Sequence, residues 1–200
     1  MAARPRSTGS TRGLSGSVLD VQLRIELQRI RPHTWRRVTV PEGITLDKLH
    51  QVIQAAMGWS DTHMHQFEID NVCYGRPDPD FDMGEPVRDE RRVRLNRLID
   101  QGVRQFDYSY DFGDQWDHRI TVEDVISPRE ERPIALCAAG ESACPPEDVG
   151  GEPGYQTFLA AITDPAHPQH RELSEWVGYP FDPAAFDMIA TNDRLRRIKL

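Results

Sequence analysis

A two-stranded hairpin is the sequence feature that most constrains how this chain can fold. Residues 106–123, FDYSYDFGDQWDHRITVE, alternate between apolar and polar side chains on both sides of a turn at Phe112-Gly113-Asp114. Successive side chains of a strand point to opposite faces of a sheet, so the pattern predicts one buried aromatic face and one polar face. The residues predicted on the buried face are Phe106, Tyr108, Tyr110, Trp116, His118, Ile120 and Val122.

The segments before the hairpin predict more strands and one well-defined helix. Residues 19–27 alternate with period two and predict a half-buried strand, and residues 34–40 predict a second strand. Residues 46–57 carry a helical apolar stripe that begins after Thr45, a plausible N-cap, and ends at Gly58. Residues 63–70 predict a further strand that places His63 and His65 on one face.

Helical patterns dominate the second half of the chain. A short helix is predicted at residues 95–99, and residues 137–154 predict an extended loop that contains two prolines and several glycines. The later helices are predicted at residues 155–162 and 168–177, and in a final stretch that opens at Asp182-Pro183.

This order of elements predicts an α+β fold. Strands that come first and helices that cluster late favour a single domain over residues 18–200, with a mixed, largely antiparallel sheet and helices packed mainly on one face. Residues 1–17 are rich in Ser, Gly and Arg and predict a disordered tail.

Composition and net charge predict the cellular compartment of the protein and the kinds of partner it can bind. The chain contains no run of about 18 apolar residues, so we expect no contact with a membrane interior. Three cysteines and an N-terminus without the apolar core of a secretion signal predict a cytoplasmic protein with reduced thiols. The net charge is −8, and residues 1–17 contribute +3, so the remainder carries −11. This acidic balance disfavours binding to nucleic acid.

A histidine pair near the third predicted strand suggests a metal site. His63 and His65, at i and i+2 on one strand face, could share a divalent ion such as zinc, with His118 as a third ligand. A carboxylate ligand could come from Glu147 or Asp148, on a loop that prolines stiffen. A structural role for these histidines at the edge of the core is the alternative. The full candidate functional cluster is His63, His65, Asp111, Asp114, His118, Glu147 and Asp148.

A local basic cluster makes nucleic-acid binding an alternative hypothesis, although the net charge is negative. Its candidate contact residues are Arg91, Arg92, Arg94 and Arg97. Asp89 and Glu90 stand beside them and reduce the local positive charge, so a solvated face is the competing interpretation.

Several of these motifs, in this order, resemble the plasmid pRiA4b ORF-3-like family over residues 19–195. The resemblance implies a single α+β domain found in bacteria and archaea, often on plasmids or near mobile elements, with no established reaction, substrate or cofactor. Some relatives carry a resolvase label, which is not transferred here because the chain shows neither a serine recombinase site nor a clear helix-turn-helix. The resemblance rests on IRPHTWRR (30–37), LDKLH (46–50), MGW (57–59), HMHQF (63–67), YSYDFGDQWDH (108–118), CPPEDVGG (144–151), Trp176 and FDP (181–183).

Three functions are compatible with the sequence. The preferred hypothesis is an interaction or accessory module of a bacterial plasmid or mobile element, with a protein partner and no catalysis of its own, because no complete catalytic set is present. The first alternative is a metal-dependent hydrolase that uses the histidine and carboxylate cluster. The second is a nucleic-acid-binding accessory protein that uses the arginine cluster.

Overall fold

The fold is built on one eight-stranded sheet flanked by helices, in a computed structural model that describes residues 19–77, 87–128 and 135–198. The strands are β1 (Asp20–Leu27), β2 (Trp35–Pro41), β3 (His65–Ile69), β4 (Val72–Gly75), β5 (Arg88–Asp89), β6 (Gln105–Tyr110), β7 (Trp116–Ile126) and β8 (Leu136–Glu141). The helices are α1 (Leu46–Met57), α2 (Leu95–Asp100), α3 (Gly151–Thr163), α4 (His170–Val177) and α5 (Met188–Leu195), with one 3₁₀ turn at Glu90–Arg92.

The strand order across the sheet is β5-β4-β3-β6-β7-β1-β2-β8. Within the described residues every strand pair is antiparallel except β4 with β5, which is parallel. The predicted hairpin is β6–β7, and its register places Tyr108 opposite His118 and Tyr110 opposite Trp116. The predicted α+β fold with a mixed, largely antiparallel sheet is confirmed.

One face of the sheet forms the core. The predicted inward residues of β1 are almost completely buried, from Val21 to Leu27, and so are Tyr108, Trp116 and Ile120 of the hairpin. Helix α1 covers this face with its predicted apolar stripe, and Gly58 ends it in a left-handed conformation with φ 98°. Such a φ is accessible to glycine at little cost, which is why the helix stops there.

The opposite face of the sheet is polar and carries cross-strand ion pairs. Arg37 of β2 pairs with Glu123 of β7, and Arg119 of β7 pairs with Asp107 of β6. The guanidinium of Arg24 lies 4.0 Å from the centroid of the Trp35 ring. Because its charged side chains pair with one another, this face of the sheet can be exposed to solvent. A sheet with one buried and one exposed face has strands that alternate between apolar and polar residues, as these do.

Three predicted boundaries need correction. Residues 137–154 were expected to be one loop, but β8 pairs with β2, and its Cys137 N–H donates to Asn192 Oδ1 of α5 (2.8 Å). The final helix begins at Met188 instead of near 182–183, because Asp187 is the residue whose side chain caps it by accepting from the Ala190 N–H. Strand β3 begins at His65, so His63 lies in the preceding loop. The predicted disordered tail, residues 1–17, lies outside the described residues.

The lengths and the polarity of the helices show whether any of them could cross a membrane. Among the residues with a described structure, no helix combines the length and the apolar composition that a transmembrane segment requires.

Candidate functional site

Three loops meet at one end of the β6–β7 hairpin. They are the α1–β3 connection (58–64), the β6–β7 turn (111–115) and the β8–α3 loop (142–150). The indole N–H of Trp59 donates to the carbonyl of Pro145 (2.9 Å), and the Ser60 N–H donates to Glu147 Oε1 (2.7 Å). These hydrogen bonds hold the first and third loops together.

The meeting point of the loops is a cluster of His63, Asp111 and Asp148, called here the loop cluster. His63 Nε2 lies 2.9 Å from Asp148 Oδ1 and 3.6 Å from Asp111 Oδ2. One ligand atom from each of the three residues lies within 4.8 Å of the other two. Ligand atoms bound to one zinc ion at about 2.0–2.2 Å stand at comparable separations, so the cluster has the dimensions of a metal site.

The free atom of this cluster is His63 Nε2. It is shielded from solvent and lies within ion-pair distance of both carboxylates, yet it makes no hydrogen bond. A buried ring nitrogen that makes no hydrogen bond is unusual in a folded protein and calls for an explanation. A cation between the imidazole and the two carboxylates would use this nitrogen as a ligand.

The backbone conformations of Asp111 and Asp148 are unusual. Asp111 and Asp148 adopt left-handed conformations, with φ 56° and φ 57°. Aspartate is among the few residues that tolerate this region, which is often occupied at functional sites. Asp111 Oδ1 accepts hydrogen bonds from the N–H groups of Gly113 (2.9 Å) and Asp114 (3.3 Å), which leaves Oδ2 directed at His63.

Two other predicted residues position the loops. Asp114 Oδ2 accepts from the Gly150 N–H (3.0 Å), and Glu147 accepts from Ser60 and from the Tyr110 hydroxyl (3.1 Å). The turn and the loop approach so closely that a Cβ on Gly151 would lie 2.6 Å from the Asp114 carbonyl oxygen. Glycine is therefore required at position 151 for close backbone approach, whereas Gly150 adopts a left-handed φ of 93°.

His65 does not join His63, contrary to the prediction. It belongs to a second group, called here the core cluster, which consists of His50, Asp61, His65, Glu90 and Tyr108. The imidazoles of His50 and His65 stack with centroids 3.5 Å apart. His65 Nε2 is hydrogen-bonded to Glu90 Oε2 (2.8 Å), and His50 Nε2 to Asp61 Oδ1 (2.8 Å). The prediction that His63 and His65 share one strand face is wrong because β3 begins at His65, and His63 lies before it in the loop.

His118 faces the core, as the alternation predicts, and does not meet the His63 ring. Its Nδ1 donates to the carbonyl of Tyr108 (3.2 Å), and its ring packs edge-on against Trp59. Among the described residues, two groups have ligand atoms within 4.8 Å of one another, the loop cluster and the set His50, Asp61 and His65, and His118 is in neither. Burial lowers the pKa of His118 to about 4, so the ring is neutral near pH 7.

The sequence did not predict the core cluster as a group, although His65 was a predicted metal ligand and Tyr108 was predicted on the buried face of the hairpin. A usable signal exists for His50, because it lies on the buried side of α1, next to Leu49 and one turn from Leu46. Burial, and then the nearby His65, lowers its pKa to about 4. Glu90 carries no local signal at all, since it stands in a charged stretch yet is 1% exposed.

The predicted nucleic-acid residues lie on the outside of α2 and the 3₁₀ turn. Arg91 and Arg92 both pair with Asp89, at 2.9 and 3.4 Å, and Arg94 donates to the Gly43 carbonyl (2.6 Å). Arg97 is exposed. Intramolecular partners thus engage three of the four guanidiniums, and nucleic-acid binding through them stays a prediction.

Comparisons with known proteins agree with the resemblance seen in the sequence. Residues 20–190 match the family described as plasmid pRiA4b ORF-3-like protein, and the chain belongs to this family. An uncharacterized protein, y4hQ, of Sinorhizobium fredii is 44% identical over 175 residues, which cover 86% of this chain and 88% of that protein. A crystal structure of a protein of unknown function from Methanosarcina mazei Go1 is similar with a TM-score of 0.78 and 33% identity, covering 86% of this chain and 96% of that one.

Proposed function

We propose that this member of the plasmid pRiA4b ORF-3-like family is an accessory module without catalysis of its own that binds one divalent metal ion at the loop cluster. The observation that carries the proposal is Nε2 of His63, a shielded atom that makes no hydrogen bond and lies 2.9 and 3.6 Å from two carboxylate oxygens. The family name supports an association with plasmids, and the partner of such a module is expected to be another protein.

The donor set indicates the type of ion. One imidazole nitrogen and two carboxylate oxygens suit zinc or a similar first-row ion better than calcium, which prefers oxygen ligands in larger number. A dication would also offset the repulsion between the Asp111 and Asp148 carboxylates.

The origin of the three ligands supports a structural use of the ion. Each comes from a different loop, and among the described residues the contacts between these loops are a few hydrogen bonds such as Trp59–Pro145 and Asp114–Gly150. An ion shared by all three would cross-link them and shape the surface that a partner meets.

Zinc titration by calorimetry tests the proposal. We expect one ion per chain in the wild type, and at least about a hundredfold weaker binding in Asp148→Asn, because a neutral amide is a poor ligand. Asparagine is nearly isosteric and tolerates the left-handed backbone of this position, so the fold should be kept.

The matched control is Asp193→Asn, since Asp193 is an exposed carboxylate that pairs with Arg196 on α5. It should bind zinc like the wild type. Absence of zinc binding to the wild type, or equal losses in both variants, would refute the proposal.

A metal-dependent hydrolase is the second candidate, because three protein ligands that leave a coordination position open are characteristic of catalytic zinc sites. Glu147, next to Asp148, lines a cavity that could admit a substrate. Zinc-dependent turnover of para-nitrophenyl acetate or phosphate that is lost in Asp148→Asn would replace the accessory function with this one.

A further inference from the structure

A large cavity is lined in part by the Pro145–Glu147 segment, while none of the three residues of the loop cluster lines it. Its volume is about 600 Å³, and α1, α4, α5 and the 179–187 segment surround it. Cavities of about 300–1,000 Å³ are typical of small-molecule sites. Its walls are rich in aromatic rings, which are those of Trp59, Trp176, Tyr179, Phe181 and Phe186.

Two of these rings are unusually accessible. Trp176 is 46% exposed and Tyr179 is 56% exposed, although both are large and mostly apolar. Neither is needed to close the core of the sheet, which is buried without them. Exposed aromatic side chains around a concavity are typical of a binding surface.

Two guanidinium groups also line the cavity, and both hydrogen-bond to neutral acceptors. Arg36 is 3% exposed and donates to the carbonyls of Ala56, Trp35 and Glu141, with its guanidinium 4.5 Å from the Phe186 ring centroid. Arg194 donates to the Ala55 carbonyl and the Thr191 hydroxyl. Within the described part of the chain, neither forms an ion pair with a carboxylate.

The carboxylates of the cavity wall are engaged by other donors. Glu147 accepts from Ser60 and Tyr110, Asp182 accepts from the Ala184 N–H, and Asp187 caps α5. The wall therefore holds three acidic groups, but among the described residues none of them lies within the 4.0 Å of an ion pair from the guanidinium of Arg36 or Arg194.

The neighbouring thiol adds no negative charge. Burial raises the pKa of Cys144 to about 12, so it is a neutral thiol near pH 7. Two guanidiniums consequently line one aromatic cavity without a direct ion pair to any described carboxylate. Arg36 is 3% exposed, and a charge removed from water normally has a counter-charge in contact, so an anion bound beside it would be favourable.

We propose that this cavity binds a small organic anion with a flat apolar body, whose charged group meets Arg36 and Arg194 and whose body contacts the aromatic wall. Arginine is suited to this task, because its planar guanidinium can donate two parallel hydrogen bonds to a carboxylate, sulfonate or phosphate. The site is separate from the loop cluster and does not depend on a metal ion.

The experiment compares two fluorescent probes on the wild-type protein. Anilinonaphthalene sulfonate carries one negative charge, and phenylnaphthylamine has the same ring system without the charge. We expect the sulfonate to bind with one site and at least about tenfold more tightly than the neutral probe, with energy transfer from Trp176. Equal affinities would overturn the proposal, because the cations would then contribute nothing.

Two variants locate the site on the protein. Arg194→Met should remove the preference for the charged probe, while Arg196→Met, at the C-cap of the same helix and outside the cavity wall, should keep it. The preference persisting in Arg194→Met, or disappearing in both variants, would also overturn the proposal. If Arg194→Met does not fold, the wild-type comparison of the two probes still decides it. A chelator should leave probe binding unchanged, which separates this test from that of the metal site.

Discussion

His63 and His65 stand two positions apart in the sequence, yet they belong to clusters of opposite character. In the core cluster, His65 and Glu90 have side chains that are 3% and 1% exposed, and they are hydrogen-bonded to each other. In the loop cluster, the His63 side chain is 31% exposed and Asp148 is 69% exposed, and Nε2 of His63 makes no hydrogen bond.

The difference shows how burial and hydrogen bonding decide what a histidine does. In the core cluster the ring nitrogens of His50 are taken by Asp61 and by the Tyr108 hydroxyl, so none is free for a ligand. The stacked pair therefore has the properties of a structural element. In the loop cluster, residues from three loops bring ligand atoms within ion-pair distance of one another at a partly exposed position, as expected of the proposed cation site.

The largest difference between the two clusters is expected in how much each histidine contributes to the free energy of unfolding. His65→Leu would leave the Glu90 carboxylate buried without its imidazole partner, and we expect a loss of about 3 kcal/mol in the free energy of unfolding. His63→Leu removes only a partly exposed contact, so its loss should stay below about 1 kcal/mol. Urea unfolding of both variants without metal measures this, and equal losses would erase the distinction between the two clusters.

A smaller effect is expected in the dependence of the protein's stability on pH, through the buried rings of His50 and His118. Burial lowers the pKa values of His50 and His118 from 6.5 to about 4, so the unfolded chain takes up protons near pH 6.5 that the folded chain refuses. Stability should therefore fall as the pH drops from 6.5 towards 4, by up to about 1.4 kcal/mol per pH unit for each histidine.

His118→Phe sharpens this test. The variant should lose one histidine's share of the slope between pH 6.5 and 4 and match the wild-type slope above pH 7. The phenyl ring keeps the packing of the imidazole and removes Nε2, a buried atom without a hydrogen-bond partner, but it also loses the hydrogen bond from Nδ1 to the Tyr108 carbonyl, so we expect a fold that is kept at somewhat lower stability. An unchanged slope below pH 6.5 would show that His118 is not held neutral by the core.

Sequence patterns predicted the fold better than the site. The hairpin, helix α1 and the inward face of β1 follow from local periodicity, which depends on each residue's own neighbours. Strand β8 was missed because its sequence, LCAAGE, has little alternation, and its place is set by pairing with β2.

The site depends on contacts between residues distant in the chain. The sequence placed His63, Asp111 and Asp148 in its candidate functional cluster, and the structure brings these three together, while their role as metal ligands stays a prediction. It also grouped His65 and His118 with them. Nothing local distinguishes these rings from His63, since their separation depends on where β3 begins and on the partners that Glu90 and Tyr108 provide.

The most direct test of the metal proposal is an anomalous diffraction map of a zinc-soaked crystal. The account predicts one peak bonded at about 2.0–2.2 Å to His63 Nε2, Asp111 Oδ2 and Asp148 Oδ1, and none at the His50–His65 stack. A peak at the stack, or no peak at the loop cluster, would contradict the assignment of the ion to the loops.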